Sequence, residues 1–263
     1  RRISLINELE RGRESLARLQ RRDARFFNSC MMATALGAAV SDALEDGRVV
    51  SGVGGQYNFV AMAHALPDAR SVLMFRSARQ AHGRAESNVR WNYGHATIPR
   101  HLRDLYVDEY GIADLRHASD EDCVVAMAGI ADARWQAGLL DAAKAARKLR
   151  GDFAAPPRWQ HNTPQRLGQL LAPFRRDGTL PDYPLGSDFT AVEQRLVRAL
   201  AWLQASTATT SGKLRIAWQA LTATPGRDDE ALQRMDLHAG AGAGAWFQAR
   251  LLGLALARTA RDH

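Results

Sequence analysis

VVSGVGGQYNFV, residues 49–60, joins a β-branched pair to an apolar run through three glycines within four positions. This pattern predicts a tight turn from a buried strand into a helix that begins near Tyr57. Successive glycines at a helix N-terminus let backbone N–H groups face an anion or a tetrahedral oxyanion. A closely packed turn without any ligand explains the glycines equally well, so the stretch alone leaves both interpretations open.

Two phosphate-binding motifs can be compared with this stretch. A dinucleotide fingerprint needs G-x-G-x-x-G and an acid about twenty residues later, but no third glycine stands at the required place and the later position offers Phe75 and Arg76. A P-loop needs Gly-Lys-Ser/Thr, and no lysine is near. A Rossmann-like oxidoreductase domain therefore stays only as an alternative.

The pattern on both sides of the turn indicates an α/β domain over residues 1–152. A short strand, RISLIN, and a charged helix ending near Arg22 precede runs such as RVVSG, SVLMF, ATIP and DLYVDEYG, which alternate with helical periods. This alternation is typical of an open, largely parallel sheet with flanking helices. The polar, basic loop of residues 76–95 is expected to be solvated surface or a lid.

A break rich in proline, residues 151–165, separates this domain from an all-helical extension over residues 153–263. Thr190 and Glu193 form a predicted capping box, and further helices are expected around residues 213–222, 228–236 and 245–259. The helical spacing places three tryptophans in the core of this region: Trp202, Trp218 and Trp246.

Composition limits the classes of function. The chain has 263 residues, 46% of them hydrophobic, and a net charge of +7 with only three lysines. Its arginines are scattered, so we expect no nucleic-acid partner, although a non-catalytic arginine-rich binding module is a second alternative. No apolar run is long enough for a membrane span, and two cysteines without a CxxC pattern favour a cytoplasmic location. Cys30 opens an apolar run and is predicted to be a buried, inert thiol.

Two longer stretches carry a resemblance to a known family. FFNSCMMATALGAAVSD followed by GRVVSGVGGQYNFV (residues 26–60), and ATIPRHLRDLYVDEYGIADLR (residues 96–116), occur in the order and separation typical of that family. Over roughly residues 20–150 the chain resembles the C-terminal domain of the acetyl-CoA hydrolase/CoA-transferase family. The helical region, PLGSDFT included, is similar to the extension of the longer bacterial members.

The resemblance implies a reaction and its partners. A glutamate attacks the acyl-CoA thioester, a glutamyl-CoA thioester forms, and a carboxylate acceptor or water completes the turnover. In the family this glutamate lies upstream of Asn28, in a segment before Arg1, so the chain is expected to be incomplete and inactive alone. It would work with the N-terminal domain of the same protein. Coenzyme A is then a substrate, no metal is needed, and a homo-oligomer is left open.

The resemblance also implies roles for particular residues. Asn28 would hold the reacting carboxylate, and Gly54 and Gly55 would supply oxyanion donors. The predicted CoA-binding residues are Gln56, Arg70, Arg76 and Arg79. Glu109 is expected to be a structural acid at the cleft, since it does not match the position of the nucleophile, and Asp108 stands where the family usually has threonine. His95 and His101 do not have the spacing of a zinc site. The sequence does not indicate which acyl group is carried, or whether it is transferred or hydrolysed.

Overall fold

The computed structural model describes residues 14–52, 54–81, 83–222, 228–237 and 242–260. The chain divides into two compact units, the first ending at Leu170 and the second beginning at Leu171. The boundary expected at residue 152 lies within the first unit, and the division into functional domains stays a prediction. The strand expected at RISLIN lies outside the described residues.

A four-stranded sheet organises the first unit. Its strands are β1 (Arg25–Ser29), β4 (Arg70–Met74), β8 (Leu105–Asp108) and β9 (Gly111–Asp114), in that spatial order. The pairs β1–β4 and β4–β8 are parallel, and β8–β9 is antiparallel. The predicted open, largely parallel sheet is therefore confirmed.

Short strands and helices surround this sheet. The small strands are β2 (Met32–Thr34), β3 (Ala39–Val40), β5 (Ala78–Ala81), β6 (Arg84–Ser87) and β7 (Val89–Arg90). The helices of the first unit are α1 (Glu14–Gln20), α2 (Gln56–Ala65), α3 (Asp120–Ile130) and α4 (Ala133–Ala145). Two 3₁₀ turns, Arg100–Leu102 and Pro157–His161, lie between them, and α5 (Pro164–Arg176) follows.

The core of the first unit packs helices α2, α3 and α4 against one face of the sheet. Leu73 and Tyr106 project from adjacent parallel strands at paired positions, and both are buried with Val60 of α2 and Met127 of α3. Side chains on neighbouring parallel strands share a face because the strands alternate in register. Trp159, in the expected break, is buried against α3 and α4 and belongs to this unit.

Helices make up the second unit. They are α6 (Ala191–Ser206), α7 (Thr210–Thr222), α8 (Asp229–Arg234) and α9 (Ala243–Thr259). Thr190 and Glu193 form the predicted capping box, with Thr190 N–H donating to Glu193 Oε2 at 2.8 Å. The expectation of three core tryptophans is wrong for two, because Trp218 and Trp246 are 69% and 54% exposed while Trp202 is partly buried.

Two local expectations in the first unit are also wrong. Residues 48–52 form no strand: Val49 and Val50 are exposed, and the segment returns from a turn at Gly47, with Val50 N–H donating to Asp42 O. The loop 76–95 is not an open lid, because β5 and β6 pair as a hairpin within it and Arg79 lies opposite Glu86.

Candidate active site

The glycine turn leads directly into helix α2. Gly54 has a φ of +56°, and a Cβ added there would meet nothing within 4 Å. Glycine is therefore favoured at position 54 by the left-handed backbone conformation and not by close neighbours. Gly55 is the N-cap of α2, which begins at Gln56, one residue before the predicted start. The first turn of α2 contains no acidic residue, so its free N–H groups and positive dipole end are available to an anion.

Gln56 fixes this helix start to the carboxyl end of β1. Its side chain is buried, and its Nε2 donates to the backbone oxygen of Ser29 at 2.9 Å. The other amide atom, Gln56 Oε1, is buried without a hydrogen-bond partner among the described residues. The turn and the end of β1 are thus held together by a side chain that keeps an acceptor unused.

Asn28, the residue before Ser29, also has a side-chain atom without a hydrogen-bond partner. Its Nδ2 is buried and has no partner within the described part of the chain. Leaving a buried polar atom unpaired costs on the order of 1–3 kcal/mol, so such atoms usually mark a site that another group completes. Asn28 therefore has an unpaired donor and Gln56 an unpaired acceptor. Asn28 precedes Ser29 in β1, and Gln56 bonds to the backbone oxygen of Ser29.

A cavity of about 470 Å³ opens beyond the carboxyl end of β1. Its lining residues are Cys30, Met31, Met32, Leu44, Arg76, Arg79, Ala81 and Asn88. Methionine and leucine side chains suit a flexible apolar chain, whereas the two arginines suit an anionic group. Cys30 is half-buried and not fully buried as expected. Burial raises the pKa of its thiol to about 12, which makes it a poor nucleophile.

The two arginines of this cavity differ in their bonding. Arg79 donates to Asn88 Oδ1 and Glu86 Oε2, both at 2.9 Å, so its orientation is fixed by the β5–β6 hairpin. Arg76 is exposed, and its backbone oxygen accepts a hydrogen bond from Asn88 Nδ2. Asn88 thus connects the two predicted CoA-binding arginines.

Arg70 does not join this group. It begins β4 beside Arg25, whereas the carboxyl end of β4 lies beside Ser29, so the whole strand separates Arg70 from the glycine turn. A five-residue strand spans about 13 Å at 3.3 Å per residue. Arg70 donates instead to Asp104 Oδ1 and Asp114 Oδ1, both at 2.7 Å. The structure therefore does not bring Arg70 together with the other predicted site residues.

Glu109 and Asp108 lie at the carboxyl end of β8, on the same edge as the glycine turn. Glu109 Oε2 accepts the backbone N–H of Ser77 at 2.8 Å, next to Arg76. Asp108 Oδ1 accepts the N–H groups of Tyr110 and Gly111, while Oδ2 is buried without a partner among the described residues. Burial raises the pKa of Asp108 to about 7, and the Glu109 charge contributes. Sequence reasoning noted Asp108 only as a departure from threonine.

A second group missed by sequence reasoning holds the segment before the glycine turn. His95 Nε2 lies 2.9 Å from Asp42 Oδ1, and the Thr97 hydroxyl donates to the same oxygen. These contacts lower the pKa of Asp42. The backbone oxygen of Asp42 accepts the N–H groups of Val50 and Ser51. His95 therefore supports the loop and has a partner other than a metal.

Comparison with known proteins decides the family. The profile of the "Acetyl-CoA hydrolase/transferase C-terminal domain" matches residues 2–143, more than half of the chain. The chain belongs to this family. The resemblance that the two sequence stretches indicate is thereby confirmed. No curated protein is detectably similar to the chain.

Solved structures with detectable similarity to the chain include proteins from two organisms. RipA from Yersinia pestis is 24% identical, with a TM-score of 0.46 over 55% of this chain and 31% of its own. The 4-hydroxybutyrate CoA-transferase from Porphyromonas gingivalis is 23% identical, with a TM-score of 0.37 over 49% of this chain and 27% of its own. The chain thus spans about a third of the length of these proteins or less.

Membrane-spanning helices and metal-binding clusters are both absent from the described residues. These residues contain no helix with the length and apolar character needed to cross a membrane. Within the same ranges, no three histidine, cysteine or acidic side chains are grouped so that they could hold a metal ion.

Proposed function

We propose that this chain is the C-terminal part of an acyl-CoA hydrolase or CoA-transferase that acts through a glutamyl-CoA thioester. It would bind coenzyme A and stabilise the oxyanion, while the nucleophilic glutamate comes from an upstream domain. The observation that carries the proposal is that two buried side-chain atoms, Asn28 Nδ2 and Gln56 Oε1, have no hydrogen-bond partner among the described residues. They accompany the N-terminus of α2, which has no side-chain cap. Such atoms suit a site that a second domain completes.

Each step of the reaction can be given to a group at this edge. The glutamate attacks the thioester carbon, and the N–H groups at Gly55 and the start of α2 stabilise the negative charge that develops on the oxygen. Asn28 Nδ2 donates to the attacking carboxylate and orients it. Coenzyme A leaves as thiolate, attacks the resulting anhydride and releases the acyl carboxylate. An acceptor carboxylate or water then reacts with the glutamyl-CoA.

The cavity beside this edge suits the remainder of coenzyme A. The pantetheine arm is flexible and largely apolar, and methionine side chains adapt to such chains. Arg76 is exposed at the same cavity as Arg79 and can turn its guanidinium toward a phosphate. Arg79 is already bound to Glu86, so it would contribute by fixing Asn88 and the hairpin.

The exposed face of the sheet supports a second domain as partner. Parallel sheets are normally covered on both faces, yet Phe27 and Ile112 project from the face opposite the core and are 60% and 68% exposed. Met74, between them on β4, is also exposed. We propose that the N-terminal domain of the same protein packs here. Asn28 pairs with Leu73 and projects from the core face, so the glutamate of that domain would reach Asn28 around the carboxyl end of β1.

Reconstitution tests the proposal. The chain would be combined with the N-terminal domain of a family member that carries the glutamate, and thioester cleavage would be followed with acetyl-CoA. We expect turnover that falls at least 100-fold in Asn28→Ala, because orientation of the nucleophile is lost. Asn92→Ala, at an exposed position outside this site, is the matched control and should keep its activity. Equal turnover by Asn28→Ala and the unchanged chain would refute the role of Asn28.

The dinucleotide alternative fits the geometry less well. A Rossmann site needs a strand that runs directly into the glycine turn, but residues 48–52 form an exposed segment without strand structure. We therefore expect calorimetric titration of the chain with NAD to show no binding.

A further inference from the structure

A second cavity, of about 540 Å³, lies at the edge of the sheet opposite the glycine turn. Its lining residues are His64, Arg100, His101, Arg103, Arg116, His117 and Asp120. Arg116 fixes its position, because Nη1 donates to Ala69 O, just before β4, and Nη2 donates to Asp104 Oδ2, just before β8. The length of β4, about 13 Å, therefore separates this cavity from the turn at Gly54.

Backbone carbonyls hold two of these arginines in place. Arg103 Nη2 donates to Ala118 O at 2.6 Å and Nη1 to Leu36 O at 3.3 Å, and Arg116 Nη1 donates to Ala69 O at 2.7 Å. A carbonyl orients a guanidinium without cancelling its charge. Arg116 Nε, in addition, is buried and has no partner within the described residues. The arginines are thus fixed in position and only partly neutralised.

The ion pairs around the cavity leave positive charge in excess. The cations in this network are Arg70, Arg100, Arg103, Arg116 and Lys148, and the carboxylates they contact are Asp104, Asp114 and Asp120. Five positive and three negative groups leave a surplus of two. Two further acids lie at the start of α3. Glu121 lies 3.6 Å from Arg150, whereas Asp122 is bonded to the neutral Ser119 in the helix cap and keeps its negative charge.

Size and donor type narrow the ligand. The volume falls within the range of small-molecule sites and exceeds the needs of a single phosphate. Arginine forks match phosphate oxygens in pairs, and the ring N–H groups of His101 and His117 add single donors. The Nε2 of His64 is engaged, because it lies 3.0 Å from Leu102 O. Three arginines and one carboxylate line the cavity, and several guanidinium donors around one space match adjacent phosphate groups better than one carboxylate.

We propose that this cavity binds a diphosphate group, carried by a nucleoside diphosphate or by the ADP moiety of a coenzyme A molecule other than the one at the glycine turn. The site is separate from the glycine turn and does not depend on the proposed reaction. Arg100 is the adjustable element. It is 55% exposed, and its contact with Asp120 is long, at 3.8 Å, so it can turn onto the bound anion while Arg103 and Arg116 stay fixed.

Calorimetric titration of the 263-residue chain with inorganic pyrophosphate tests this assignment. We expect saturable binding that weakens at least tenfold in Arg100→Glu and severalfold in Arg100→Gln. Arg198→Glu is the matched control, because Arg198 also has a carboxylate nearby, Asp182 at 3.4 Å, and belongs to the second unit. Its affinity should not change. Unchanged thermal melting of each variant establishes that it is folded.

Two results would overturn the site: no saturable pyrophosphate binding by the unchanged chain, or equal weakening in Arg100→Glu and Arg198→Glu. The source of the diphosphate is separated by repeating the titration with ADP and with coenzyme A. Loss of ADP binding alone in Arg100→Glu assigns the site to a free nucleotide. Loss of both assigns it to the diphosphate of coenzyme A, and either result supports the diphosphate site.

Discussion

Asp108 predicts a specific dependence of stability on pH. Burial raises its pKa from 3.8 to about 7 in the folded chain. The folded state therefore keeps a proton that the unfolded state releases above pH 4, so the free energy of unfolding falls as the pH rises from 4 to 7 and is level above 7. Three pKa units correspond to about 4 kcal/mol, and the part lost between pH 5 and 8 is about 2–3 kcal/mol.

Asp108→Asn removes this titration. The asparagine Oδ1 can still accept the N–H groups of Tyr110 and Gly111, which bond to Asp108 Oδ1. Urea unfolding at pH 5, 6, 7 and 8 should therefore show a pH dependence about 2–3 kcal/mol smaller in the variant. Asp141→Asn, at an exposed position of α4, is the control and should leave the dependence unchanged. The same pH profile in Asp108→Asn and the unchanged chain would refute the reasoning.

Three other predictions concern the core and Cys30. Asp104 is buried and bonded to Arg70 and Arg116. Asp104→Asn should therefore lower the free energy of unfolding, measured in urea, by about 3–5 kcal/mol, and a loss below 1 kcal/mol would contradict this. Trp159→Ala should cost about 3–5 kcal/mol by removing a buried ring beside Gly129, and an unshifted midpoint would be inconsistent with the packing. Cys30, with its raised pKa, should react with iodoacetamide at pH 8 at least about 100-fold more slowly than free cysteine; mass spectrometry after timed quenching measures this, and comparable rates would exclude a protonated thiol.

Local patterns predicted most of the elements. The start of α2 followed from the glycines, the sheet from alternating strands and helices, and the cap at Thr190 from Glu193 three residues later. These signals depend on neighbours within a few residues. The β5–β6 hairpin was missed although Gly83, with its φ of +75°, marks the turn between the two strands.

Long-range contacts account for what the sequence did not predict. Val49 and Val50 have strand propensity but bond back to Asp42 around a turn, so no strand forms. Arg70 was assigned to the coenzyme A site by the family resemblance, yet parallel register places Arg70 at the opposite edge, where Asp104 binds it. The opposite cavity depends on Arg103 and Arg116 meeting carbonyls more than ten residues away, a juxtaposition with no local signal.

Calorimetric titration with coenzyme A tests the central claim most directly. The chain would be compared with Gly54→Ala and with Gly178→Ala, since both glycines have positive φ and open surroundings. Left-handed strain of about 1–2 kcal/mol at residue 54 should displace the turn and weaken binding about tenfold. We predict that the chain binds coenzyme A saturably and does not bind NAD. Gly54→Ala should weaken the affinity for coenzyme A, and Gly178→Ala should leave it unchanged. Equal affinity for coenzyme A in the two variants would contradict it.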